Sequence, residues 1–366
     1  MIMKKELTIR LALLILCAFS INTAFAQDVC PKPVIKKQTT STKKQTDQPV
    51  TPHEWKYTGD FHEGLARVQD ANGEWAYIDK AGNLVIPFQW KDAWDFSEGL
   101  ANVKDFNDKW GFIDKTGQVV IPCQWKFAND FSEGLAAVRD ANKKSGFIDK
   151  TGKVVIPCKW FDTFIFREGL GRVMDDNNKY GFIDRTGQMV SPCKWKLAWD
   201  FHEGLAAVED ANGKWGYIDK TGRLVIPCKW RWANDFIDGL SAVANTNGKW
   251  GFIDKTSKVV IPYRWDLAYL FSEGLAAVRD FNYKWGYIDK TGKIVIPCQW
   301  KDAWAFSEGL AAIMDDNDKY GFIDKTGKVV IPCKWKSALW FKEGVAAVGD
   351  TNGNCHIIDK TGKVVK

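Results

Sequence analysis

The sequence predicts an all-β protein assembled from nine copies of one 35-residue unit. Three observations carry that expectation. From Pro52 to Lys366 the chain falls into nine rows of 35 residues without an insertion. Proline, tryptophan and phenylalanine each keep a column in every row, from Pro52 to Pro332, Trp55 to Trp335 and Phe61 to Phe341. Each row also holds three short runs rich in β-branched and aromatic residues, separated by turn formers.

In the row from Phe96 to Trp125 the runs are Leu100–Lys104, Trp110–Asp114 and Val119–Pro122. An Asp-x-Asn step joins the first two. Asp114-Lys115-Thr116-Gly117 joins the last two, with Asp accepting backbone amides and Gly taking the left-handed position of a tight hairpin. Proline cannot donate to a ladder, so Pro122 is expected to end the third strand, and Lys126 to Ser132 to cross to the next row. Each row therefore reads as a three-stranded meander, about 27 strands in all, that buries its apolar face only by stacking on its neighbours. The expected architecture is an open solenoid or superhelix. A closed propeller-like ring is the alternative, set second because nine blades are many and 35 residues are few for four strands.

The N-terminus carries different signals. Lys4, Lys5 and Arg10 precede an apolar run from Leu11 to Ser20, and Ala24-Phe25-Ala26 offers small residues at a cleavage site. Residues 1–26 read as a secretory signal peptide cut after Ala26, which implies an exported, periplasmic, cell-surface or secreted protein. The run is too short for a transmembrane span, which needs about 20 apolar residues. Leu16 before Cys17 argues against lipoprotein processing, which requires a small residue there. Residues 27–51, with five lysines among Thr, Ser, Gln and Pro, read as a disordered basic linker, and residues 52–366 as the repeat array.

The net charge of +6 belongs mainly to these leading segments. Residues 1–26 hold three basic residues and one acidic, and residues 27–51 five and two, so the array is close to neutral. That balance is a poor footprint for nucleic acid.

Six cysteines share one column: Cys123, Cys158, Cys193, Cys228, Cys298 and Cys333. Phe88 and Tyr263 fill the same column in other rows, which marks a packing site and favours free, buried thiols over a metal string or disulfide ladder. The Asp-x-Asn steps suit turns better than calcium loops, because the next alternate position is often lysine, as at Lys214 and Lys319. Carboxylates repeated in every row lack the unlike pair that glycoside hydrolysis requires. His53, His62, His202 and His356 are scattered, with no nucleophile motif nearby. No catalytic, cofactor-binding or metal residue is assigned.

Of nineteen tryptophans, nine follow the proline column and five occupy the column of Trp110. The remaining five, Trp94, Trp199, Trp232, Trp304 and Trp340, lie in the crossing segment, where rows differ. Such aromatics suit sugar-stacking or protein-binding surfaces. Trp94, Trp199 and Trp304 recur every three rows, which suggests one aromatic stripe along the array.

The recurring Lys-Trp-Gly step at Lys109-Trp110-Gly111, Lys214-Trp215-Gly216, Lys249-Trp250-Gly251 and Lys284-Trp285-Gly286, together with the EGLA, WGxID and VIP segments, resembles the WG repeat family, also called KWG repeats. The resemblance spans the whole array, although Ser145, Tyr180, Tyr320 and Cys355 replace the motif tryptophan in four rows. It implies a bacterial-type β-repeat protein and brings no catalytic residue or cofactor. The expected function is a non-catalytic extracytoplasmic scaffold that binds a protein partner through its variable segments. A carbohydrate or peptidoglycan binder that uses the extra tryptophans comes second, and a glycan-acting enzyme third.

Overall fold

A computed structural model describes residues 55–365; the expected signal peptide and linker lie outside the described residues. Each repeat forms its own antiparallel sheet, in the order inner, second, third and outer strand. In blade 1 these are Tyr57–Thr58, Leu65–Gln69, Trp75–Asp79 and Leu84–Trp90; in blade 2, Asp92–Ala93, Leu100–Lys104, Trp110–Asp114 and Val119–Trp125. Blades 1 to 8 have four strands, and blade 9 has three among the described residues, with a bridge from Ile358 to Val364 where an outer strand begins.

The four-stranded blade corrects the expected three-stranded meander. The crossing segment contributes the extra strand, two residues long in six blades and six long at Phe127–Ser132, Asp162–Arg167 and Leu267–Ser272. The outer strand also runs through its proline to the tryptophan. Pro122 is exposed at the sheet edge, where no ladder bond is required of its nitrogen.

The expected open solenoid or superhelix is likewise overturned, because the sheets close into a nine-bladed ring, a β-propeller. Phe96 of blade 2 packs on Tyr77 of blade 1 with ring centroids 5.0 Å apart, and Phe131 on Phe112 at 4.8 Å. This contact recurs around the molecule to Phe341 on Phe322 at 4.8 Å. At the ninth junction Phe61 of blade 1 shares a core cluster with Ile357 of blade 9, the residue in the Tyr77 column. Trp55 and Phe88 pack there too. Burying each such aromatic contributes about 1.5–3 kcal/mol, so an open edge would forfeit a whole junction.

The turns add a second set of closures. The Glu63 carboxylate reaches forward to the backbone N–H of Gly99 (3.1 Å) and to Lys115 Nζ (3.0 Å) in blade 2. Corresponding acid–base pairs follow at Glu98–Lys150, Glu133–Arg185, Glu168–Lys220, Glu203–Lys255, Asp238–Lys290, Glu273–Lys325 and Glu308–Lys360. Glu343 completes the ring with Lys80 at 2.9 Å and Gly64 N at 3.4 Å. The repeated acids are thus inter-blade ties at turns, with their backbones in the left-handed region (Glu63 φ 53°, Glu343 φ 53°).

Local chemistry explains the other recurring positions. Asp114 Oδ1 accepts from the N–H groups of Thr116 and Gln118 and from the Thr116 hydroxyl, and Gly117 takes φ 86°. Asp70 Oδ1 accepts from the backbone of Asn72 and Glu74, the expected turn rather than a calcium loop. The glycine of the WG step has a steric origin, since a Cβ on Gly216 would stand 2.5 Å from the carbonyl oxygen of Ile226 on the outer strand. The six column cysteines are free and half-buried, and burial raises their thiols, to about 11 at Cys123 and Cys228.

Candidate functional site

Because the outer strands and the Asp-Lys-Thr-Gly turns repeat almost unchanged, differences between rows concentrate in the Asp-x-Asn turn, as at Phe106, Asp176 and Phe281, and on the inner strands, which converge on the ring axis. One pocket of about 290 Å³ there is lined from four blades, including Trp94, Asp130, Arg139, Phe164 and Asp200. Charged groups meet across blades in three columns, the first of which gives the pocket Asp130 and Asp200.

The first column, one residue before the constant Phe, holds Asp60, Asp95, Asp130, Asp200 and Asp235. The second, in the middle of the second strand, holds arginine only at Arg67 and Arg172. Each arginine reaches into the next blade, where Arg67 Nε lies 3.0 Å from Asp95 Oδ1 and Arg172 Nε lies 2.8 Å from Asp200 Oδ1. Their Nη1 groups donate to the carbonyls of Ala93 (2.9 Å) and Ala198 (2.6 Å). Asp60, Asp130 and Asp235 receive no such arginine, because the preceding blades carry Ala347, Asn102 and Ala207 in that column. These are the acids whose carboxyls burial, aided by a neighbouring aspartate, pushes up to about 7, 7 and 8.

The third column, just after the Phe, contributes His62, Arg167, His202 and Lys342. Lys342 Nζ donates to His62 Nδ1 (2.8 Å), and His62 Nε2 is 3.5 Å from Asp95. Four blades on, Arg167 Nη1 donates to His202 Nε2 (2.7 Å), and that nitrogen is 3.5 Å from Asp235. Burial lowers both histidines, and the cationic neighbours Lys342 and Arg167 act in the same direction. A neutral imidazole that accepts from a cation has its lone pair engaged, which is unlike a poised general base. Among the described residues no cluster of three or more His, Cys, Asp or Glu is arranged to hold a metal ion.

Sequence reasoning passed over these histidines because their partners lie one blade away. The signal available was the tripeptide Asp-Phe-His, present at 60–62 and again at 200–202.

The five crossing-segment tryptophans are distributed differently from the expected stripe. Trp94, Trp199 and Trp304 are three blades apart, so closure places each a third of the ring from the next. Trp199 is 7% exposed and stacks on Trp215, centroids 5.6 Å apart and planes at 15°. Trp232 packs on both and donates its indole N–H to Asn234 Oδ1 at 2.9 Å. Trp304 and Trp340 are half-buried against one another at 6.4 Å. Trp94, half-buried against Trp110 and Phe127, lines the axial pocket.

Among the described residues no helix is long and apolar enough to cross a membrane. Solved structures of similar overall shape include the computationally designed Ika8 protein, at 11% identity over 83% of this chain and 96% of that one, TM-score 0.44. BamB from Moraxella catarrhalis matches at 9% identity over 86% and 96%, TM-score 0.43. Sqt1 from Saccharomyces cerevisiae matches at 11% over 74% and 93%, TM-score 0.41. No curated protein matches the chain. The model of the WG containing repeat matches nine consecutive segments, from residues 44–75 to residues 320–354. The chain therefore belongs to the WG repeat family.

Proposed function

We propose that this propeller is a non-catalytic interaction scaffold of the cell envelope or exterior, which engages a protein partner at the axial end of its inner strands. One observation carries the reading. Row-to-row variation, low in the outer strands and the Asp-Lys-Thr-Gly turns, is high on the inner strands, and in blades 2 to 5 these meet at one polar, aromatic-walled opening. A shared frame with differing side chains at one place is what a repeat scaffold presents to a partner. The engaged histidine nitrogens support a binding role over catalysis, and the leader-like N-terminus supports export.

Glycan binding is the second reading, carried by Trp94 beside Asn129 and Asp130 in the pocket. Crosslinking and affinity capture in the native host, run beside a glycan array with the purified chain, separates the two. Specific capture of a protein supports the scaffold. Glycan binding without protein capture replaces it with the second reading, and turnover of a glycan or peptide substrate would overturn both.

A further inference from the structure

The slot beside Asp130 repeats a site that the protein fills with its own arginine in two other blades. In blade 4 the guanidinium of Arg172 lies over the ring of Phe164, 3.9 Å from its centroid, pairs with Asp200 and donates to the Ala198 carbonyl. In blade 1 Arg67 pairs with Asp95 and donates to the Ala93 carbonyl in the same way. There the position equivalent to Phe164 is Gly59, and a Cβ on it would stand 3.2 Å from Arg67 Nε. So three groups define the slot: a residue two before the Phe, an aspartate of the next blade, and an alanine carbonyl of that blade.

Blade 2 has all three walls without the arginine. Trp94 stands in the Phe164 column, Asp130 in the Asp200 column and Ala128 in the Ala198 column. Asn102 replaces arginine, and its short side chain satisfies only the carbonyl, donating from Nδ2 to Ala128 O at 2.7 Å. The guanidinium's place is left open. Asp130 Oδ1 is buried with no hydrogen-bond partner, and Asp130 and Trp94 both line the axial pocket. Two other carboxylates of the pocket are already matched, Asp162 by Arg139 at 2.6 Å and Asp200 by Arg172. Blade 5 also leaves an aspartate unmatched, but there Trp199 is stacked away on Trp215.

We infer that the pocket between Trp94 and Asp130 receives a guanidinium group, presented as an arginine side chain by the protein partner. This rests on the scaffold reading above. The planar cation lies against the indole face and pairs with the Asp130 carboxylate, as Arg172 does with Phe164 and Asp200. Burial of an unmatched carboxylate without a ligand is costly, and the incoming cation relieves it. Binding strengthens as pH rises through about 7, where the Asp130 carboxyl, held up by burial and by Asp95 against the opposing pull of Arg67, loses its proton. Arg139, Asp162 and Asp200 also face the pocket.

Calorimetric titration of the full mature chain with acetyl-Gly-Arg-Gly-amide, its citrulline counterpart and methylguanidinium tests the inference. The arginine peptide binds and the citrulline peptide does not. Asp130→Asn weakens the arginine peptide by about tenfold or more. Asn102→Arg, which supplies the missing guanidinium internally, abolishes binding while the melting temperature holds or rises. Equal binding to wild type and Asn102→Arg, or no binding of either cation by wild type, overturns the proposal. Binding of methylguanidinium but not of the peptide assigns the pocket to a small free cation and overturns the partner's side chain as ligand. If a partner captured by wild type is captured equally by Asn102→Arg, the pocket assignment fails and the scaffold stands; if wild type captures none, the scaffold itself fails.

Discussion

Glu343, in the last blade, places its carboxylate 2.9 Å from Lys80 Nζ in the first, across 263 residues of sequence. It is the same contact that Glu63 makes with Lys115 one blade along. Equivalence of the ninth junction with the other eight makes this molecule a ring rather than a stack. A ring brings inner strands from distant blades to one axis, and the candidate site follows from that.

Trp199 belongs to the core, contrary to its expected place on a binding stripe. It is stacked on Trp215 and packed against Trp232. Trp199→Ala is expected to cost about 3–5 kcal/mol, read from the denaturant midpoint. A variant of native stability that had lost partner binding would return the residue to the surface.

Ser257 takes φ 71° at a turn position that is a positive-φ glycine in the other eight blades, Gly222 and Gly292 among them. Ser257→Gly is expected to stabilise by on the order of 1 kcal/mol, since a Cβ is strained in that region. The exposed bond from Lys229 Nζ to Ser257 Oγ, 3.0 Å, offsets little of this. An unchanged or lower melting temperature would contradict the assignment.

Asp235 ties stability to pH. Burial and the Asp200 charge raise its carboxyl from an ordinary 3.8 to about 8, against Arg172 and Arg167, with His202 alongside. The fold favours the protonated acid. Its contribution is fully present below about 3.8 and is lost as pH rises through about 8. Asp235→Asn should therefore melt with a shallower decline than wild type as pH rises over that window. Parallel curves would remove this acid from the account.

Much of the blade was legible in the sequence, and the reasons are local. Leu100–Lys104 and Trp110–Asp114 emerged with those bounds because each is a short β-branched and aromatic run between two turn signals. Asp114 and Gly117 announced their turn because hairpin chemistry needs those residue types there. The inner strand Asp92–Ala93 did not stand out, since two residues carry no periodicity and its column changes from Tyr57 to Asp92 to Phe127. Closure was equally hidden. It depends on how far each interface of Phe and Tyr rotates one blade against the next, and only the pair Glu343 and Lys80 expresses the sum. The site suffered from the same limit, because Arg67 and Asp95, or Arg167 and His202, meet across blades rather than within a motif.

Closure can be tested at its own contact. A zero-length carbodiimide joins a carboxylate to an amine only when they touch, and peptide mass spectrometry of the dilute, monomeric protein then identifies each pair. The ring predicts an intramolecular Lys80–Glu343 link at a yield like those of Lys115–Glu63 and Lys150–Glu98. Abundant links at the consecutive junctions, with Lys80–Glu343 absent or formed only between molecules, would contradict the ring and the axial site built on it.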